Sequence, residues 1–292
     1  MNDRAVSASG ALGHDGRRFP GIRGLFGRTH VDLSPFIDVS ELPTLHEEIC
    51  LALAQVPLDY TGGSHRSMGI MPEVRRGEAY GDYGEVIADL SAGDFEVLAS
   101  LADDPSAFRA ARGGEFGEER SVPLSRRQLR WLEVRHGVYF PWKGYVELMP
   151  NRYWSEKASP EGKRFTRVAE AYFAKTLAFV RRLPFESIGR CNVMGLAPLD
   201  HGTVHRDGEP DDQDSPDHFI SFVPGMNKRL FLWDDVLGEE VPVEGPVYWF
   251  NDHDYHGVAS APVFRYSVRV DGTFRREFLD ALAAAHPTPA SP

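Results

Sequence analysis

Val204-His205-Arg206-Asp207-Gly208 decides how this chain reads, together with two later runs: Pro246-Val247-Tyr248-Trp249-Phe250-Asn251-Asp252-His253-Asp254-Tyr255-His256 and Phe264-Arg265-Tyr266-Ser267-Val268-Arg269-Val270-Asp271. The last run alternates with period two, as a strand does. In an extended segment residues i and i+2 point the same way, so His205 and Asp207 can reach one small ion from a single strand. A later histidine on a neighbouring strand would add a third ligand, giving two imidazoles and a carboxylate on one face of a metal. That donor set suits non-haem iron(II) in oxygenases, whereas zinc more often takes a fourth protein ligand or holds a water for hydrolysis. Arg265, Ser267 and Arg269 share one face of the final strand, where a planar guanidinium can hold a carboxylate through two nitrogens. Open metal positions beside such an anchor describe a socket for a dicarboxylic 2-oxo acid.

With Gly189-Arg190-Cys191-Asn192-Val193 upstream and Gly257-Val258 after His256, these residues resemble the metal-binding half of the aspartyl/asparaginyl β-hydroxylase family of 2-oxoglutarate- and iron(II)-dependent oxygenases. The resemblance implies an α+β chain whose core is a double-stranded β-helix (a cupin-like jelly roll) flanked by helices. It implies iron(II) held by His205, Asp207 and His256, with Arg265 gripping the distal carboxylate of the cosubstrate 2-oxoglutarate. His218 falls where the family often has a histidine near the cosubstrate's other end. Asn192, Ser267 and Arg269 are further candidates to touch it. The implied reaction consumes O2, hydroxylates an aliphatic carbon of a free amino acid or peptidyl residue, and releases succinate and CO2. Asp207 points the same way, because related halogenases have a small residue there. Two choices stay open: His253 competes with His256, and Arg269 competes with Arg265. Two other readings use the same residues: a cupin-like metalloprotein that needs no 2-oxoglutarate, or a binding module without catalysis.

The chain outside this stretch sets limits. Its 292 residues can bury a sizeable core, and no apolar run is long enough for a membrane span. A net charge of −11 disfavours nucleic acid, which needs a basic footprint. The two cysteines, Cys50 and Cys191, have no metal-ligand spacing. They fit a reduced, cytoplasmic protein, and the N-terminus lacks a secretory apolar stretch. The resemblance makes a small amino-acid or peptide substrate the expected partner, with no nucleic acid and no membrane.

Four regions are expected: a flexible tail over 1–28, a mixed helical region over 29–184 that shapes the substrate site, the jelly-roll core over 185–272, and a C-terminal helix and tail over 273–292. Within them, Thr44 with Glu47 and Ser125 with Gln128 have capping-box spacing and predict helix starts. Ser91 to Asp103 has a helical apolar face. Ser159-Pro160-Glu161 predicts the start of a long amphipathic helix through Val180. Tyr60 to Gly84 reads as loops or a substrate lid, Ala107 to Glu119 as a surface connection, and His136 as a loop histidine. Val138 to Leu148 reads as strand and turn, Glu209 to Asp217 as a solvated acidic loop, and Phe274 to Ala285 as a terminal helix.

Overall fold

The computed structural model describes residues 11–12, 18–19, 25–58, 83–114, 122, 124–138, 144–151, 154–209, 215–225 and 228–287. Strands β1 (Ala11–Leu12) and β2 (Arg18–Phe19) pair with each other within the expected tail. The rest of the strands form two antiparallel sheets. The larger is ordered β3 (His30–Asp32), β10 (Val247–Phe250), β7 (Phe219–Phe222), β12 (Arg265–Phe274), β5 (Phe185–Leu196), β4 (Gly144–Met149). The smaller is ordered β6 (Gly202–His205), β11 (His256–Val258), β8 (Leu230–Asp234), β9 (Glu239–Pro242). From β5 onward the chain passes back and forth between the sheets, which is the winding of a double-stranded β-helix. The core sheet borrows β3 and β4 from the region expected to be separate from it.

Period two in β12 sorts its side chains cleanly. Tyr266, Val268 and Val270 join the main apolar core with Val193, Ile220, Phe222 and Trp249 of neighbouring strands. Helices α1 (Leu42–Leu53), α7 (Ala174–Arg182) and α8 (Arg276–Ala285) cover that face through Leu45, Ile49, Leu177, Val180, Phe278 and Leu282. Each such side chain stabilises the fold by about 1.5–3 kcal/mol on full burial. The N-terminus of α7 has no side-chain cap of its own. Glu48 of α1 supplies one, accepting from Lys175 N (2.7 Å), Thr176 N (2.8 Å) and Thr176 Oγ1 (2.7 Å), which satisfies two orphan amides with a charge the helix dipole favours.

Helices α2 (Tyr83–Ala88), α3 (Ala92–Ser100), α4 (Pro105–Ala110) and α5 (Arg126–His136) build a second core of their own from Ile87, Phe95, Leu98, Phe108, Leu129 and Leu132. Ser91 caps α3, accepting from Asp94 N. The expected capping box opens α5 with both reciprocal bonds present, and Gly137 at φ 67° closes it.

Several sequence expectations give way. Helix α1 begins at Leu42 after Glu41, with a proline in its first turn and no side-chain cap, so Thr44 lies inside the helix. Ser159-Pro160 opens only a turn, because Gly162 at φ 68° redirects the chain. The helix starts later, at α6 (Arg167–Tyr172), where Thr166 accepts from Ala169 N, and Phe173 separates it from α7. The expected connection after Ala107 is partly α4, His136 is the last residue of α5, and Phe274 still belongs to β12. Nearly all of the expected lid, most of the acidic loop and the aromatic run 139–143 lie outside the described residues.

Candidate metal centre and inner pocket

β6 and β11 are neighbours in the smaller sheet, and their register sets His256 directly opposite His205. Both rings face the larger sheet and stand 4.5 Å apart between centroids. Asp207, just past the end of β6, completes the group: its Oδ1 lies 3.5 Å from His205 Nε2 and 3.9 Å from His256 Nε2. Its backbone N donates to Asp252 O at 2.8 Å, which pins the turn that carries it.

The ring nitrogens on the far side are already engaged. His205 Nδ1 donates to Thr203 O at 2.7 Å and His256 Nδ1 to Asp254 O at 3.0 Å, so each Nε2 is left as a lone-pair donor aimed at Asp207. One atom from each of the three residues falls within 4.8 Å of the others. Ligands about 2.1 Å from one centre sit some 3–4 Å apart, so small side-chain adjustments suffice to hold a metal.

The electrostatics differ between the two imidazoles. Burial, reinforced by the neighbouring His205, pushes His256 down to about 4, so it stays neutral. For His205, burial pulls downward, but the hydrogen bond and charge of Asp207 outweigh it and leave the pKa raised. Asp207 resists burial because His205, His256 and Arg269 hold its carboxyl well below the usual range.

His253 belongs to a different group. Its Nδ1 bonds Glu209 O at 3.0 Å, and it gathers with Asp217 and Asp252. The Lys157 ammonium already occupies that second group, bridging Asp217 and, at 3.4 Å, Asp252.

Inward from the triad, Arg265, Ser267, Arg269 and Asp271 follow one another on the face of β12 that looks into the barrel. Arg265 was expected to grip the distal carboxylate. Its guanidinium donates to three backbone oxygens: Asp200, Ala259 at 2.9 Å and Ala197 at 3.5 Å. It ties the β5–β6 turn to the β11–β12 turn. Ser267 Oγ accepts at 2.7 Å from Lys228 Nζ, which enters from the segment before β8. Lys228 is 5% exposed. Burial, with the nearby Arg265 and Arg269 charges adding to it, pushes its pKa down to about 7. Thr203, on the same face of β6 as His205, presents a buried Oγ1 with no hydrogen bond.

Asn192 lies opposite Arg269 in register; its Nδ2 donates to Tyr145 OH at 2.6 Å, and its Oδ1 is buried with no hydrogen bond. Arg269 reaches the triad, with Nη1 at 3.5 Å from Asp207 Oδ2. His218 does not join this interior. It precedes the inward-facing Phe219 by one residue, stacks on Phe274 at 4.6 Å, and accepts from Phe274 N at 3.2 Å. Sequence reasoning missed Lys228, Thr203 and Tyr145. Only the inward alternation of β6 carried a signal for any of them, for Thr203 two residues before His205.

No family model and no curated protein matches the chain. Among solved structures it is similar to a Burkholderia pseudomallei oxidoreductase of the 2OG-Fe(II) oxygenase family, with 13% identity, a TM-score of 0.29 and coverage of 45% of this chain and 71% of that one. A Pseudomonas putida prolyl-4-hydroxylase shares 18% identity at a TM-score of 0.26, with 46% and 74% covered. A Trichoplax adhaerens prolyl hydroxylase, in complex with a hypoxia inducible factor oxygen degradation domain peptide fragment, shares 13% identity at 0.29, with 51% and 71% covered. Likenesses this slight carry no functional conclusion, so the chemistry of the side chains has to.

Proposed function

We propose that this chain is an iron(II)- and 2-oxoglutarate-dependent oxygenase that hydroxylates an aliphatic carbon of an amino acid or peptidyl residue. The observation that carries the reading is the convergence of His205, His256 and Asp207 with both Nε2 atoms aimed inward. Two neutral imidazoles and one carboxylate leave three coordination positions open, as this chemistry requires. When bound, iron(II) with 2-oxoglutarate and O2 supplies the oxidising power to hydroxylate an unactivated carbon, with succinate and CO2 released.

The chain's own part is to bind, orient and keep the site dry. Lys228 with Ser267 is the proposed seat of the distal carboxylate, in place of Arg265, whose Nη1 and Nη2 hold the turns. Ser267 stands two residues from Arg269 along β12, about 6.7 Å, a span a five-carbon diacid can bridge between that seat and the triad. A dianion entering between Lys228, Arg265 and Arg269 would restore a full proton to the lysine. Asn192 and Tyr145 stand on the adjoining strands β5 and β4, where they can orient the oxo acid.

Anaerobic addition of iron(II) and then 2-oxoglutarate should produce a visible metal-to-ligand charge-transfer band. A protein that retains no iron would sink the reading. One that binds iron but shows no band with 2-oxoglutarate favours the cupin-like alternative. A mass-shift screen of amino acids and peptides for one added oxygen then addresses the substrate.

A further inference from the structure

We propose that Arg269 is a positioning residue that confines Asp207 to coordination through a single oxygen, and so keeps three metal positions open rather than two. The inference rests on the iron reading above.

The two oxygens of Asp207 do separate things. Oδ1 faces both histidine Nε2 atoms, and Oδ2 faces Arg269 Nη1 at 3.5 Å. A carboxylate can bind a metal through one oxygen or both. With both, the protein would fill four of six positions. The remaining two could seat a chelating oxo acid, but nothing would be left for O2.

Arg269 is built not to move. Its Nε donates to Asp271 Oδ1 at 2.9 Å and its Nη2 to Asp252 Oδ2 at 2.6 Å. Its flat face lies 3.8 Å from the centroid of the Phe219 ring. The two acids are held in turn: Asp271 Oδ2 accepts from Arg190 Nε at 2.9 Å, and Asp252 Oδ2 lies 3.4 Å from Lys157 Nζ. A guanidinium gripped at two edges and covered on one face presents its third edge to Asp207 in one orientation only. The backbone bond from Asp207 N to Asp252 O makes the same acid residue the anchor for both partners. Buried charges so densely paired are a costly way to gain stability, which fits a role in holding geometry.

The test uses manganese(II) bound to the full-length protein and counts its exchangeable waters by water-proton relaxation. The wild type should hold three. Arg269→Lys keeps the charge but loses the fork, so Asp207 can swing to chelate. The count should fall to two and the relaxation enhancement by about a third. Asp252→Asn, a milder change that frees one edge of Arg269, should give an intermediate value. A purely structural Arg269 would change thermal stability and leave the water count alone. Two waters in the wild type, or three in every protein, overturns the proposal while leaving the iron reading standing. Failure of the wild type to retain manganese takes both down.

Discussion

The two cores of this protein are built on opposite principles. Around α2–α5 the buried side chains are almost all apolar, with Ser125 and Gln128 the only buried polar residues in that unit among those described. Between the two sheets the interior holds Arg190, Lys228, Asp252, Arg265, Arg269 and Asp271 at 5% exposure or less. The helical unit shows that this sequence can make an ordinary dry core. The charge inside the barrel is therefore no shortage of apolar residues; it is a price in stability for a polar interior.

The sharpest way to break the comparison is at the triad. His256→Ala should abolish iron retention and 2-oxoglutarate turnover, checked by metal analysis and succinate release, and the fold should survive. Retained iron-dependent turnover would show that the polar interior serves something else.

Lys228 tests the same contrast from the stability side. Lys228→Met should weaken 2-oxoglutarate binding by about 30- to 1000-fold, the usual cost of truncating one buried charged partner of a ligand. Without cosubstrate the variant should be as stable as the wild type or more so. The sign of its pH dependence follows from linkage. The folded pKa is about 7, below the 10.5 of an exposed lysine. The unfolded chain thus holds more protons between those values, and stability rises with pH across that window by on the order of a few kcal/mol. Denaturant titrations from pH 7 to 10 should show a rise in the wild type that is lost in Lys228→Met. Cosubstrate binding should weaken as pH rises above about 7, because the diacid then has to recruit a proton.

In the helical unit, Leu98→Ala should cost about 2–5 kcal/mol of local stability through the cavity it leaves. Metal affinity should stay unchanged, and altered manganese binding would mean the two cores are not independent. Smallest of all, Ser125→Ala removes one capping oxygen and should cost about 1 kcal/mol, visible in thermal melts and nowhere else.

The site was legible where chemistry repeats at short range. His205 and Asp207 come together because they are only two residues apart, with Asp207 in the turn just past β6, and Arg265 to Asp271 announce a strand by alternation. The α5 capping box was equally local. What could not be read was anything set by pairing at a distance. Lys228 follows Gly225-Met226-Asn227 with no periodicity around it, and its hydroxyl partner lies 39 residues on. Arg265 and Arg269 look equivalent in sequence; only the turns at Asp200 and Ala259 and the acids at Asp252 and Asp271 give them different work. Strand register sets His256 and not His253 opposite His205, and register is a property of two segments rather than one. β3 is three residues long, too short to show a period.

Gly144, the first residue of β4, sits beside Leu58, the last described residue after α1: a β-carbon added there would lie 3.7 Å from Leu58 Cδ1. The described helical unit α2–α5 is inserted in the chain between these two neighbouring points of the barrel. An insertion whose two ends meet in this way has the form of a cassette. Evolution or a protein engineer could exchange it for a short turn or a foreign module without rewinding a single strand, leaving the grouping of His205, Asp207 and His256 intact.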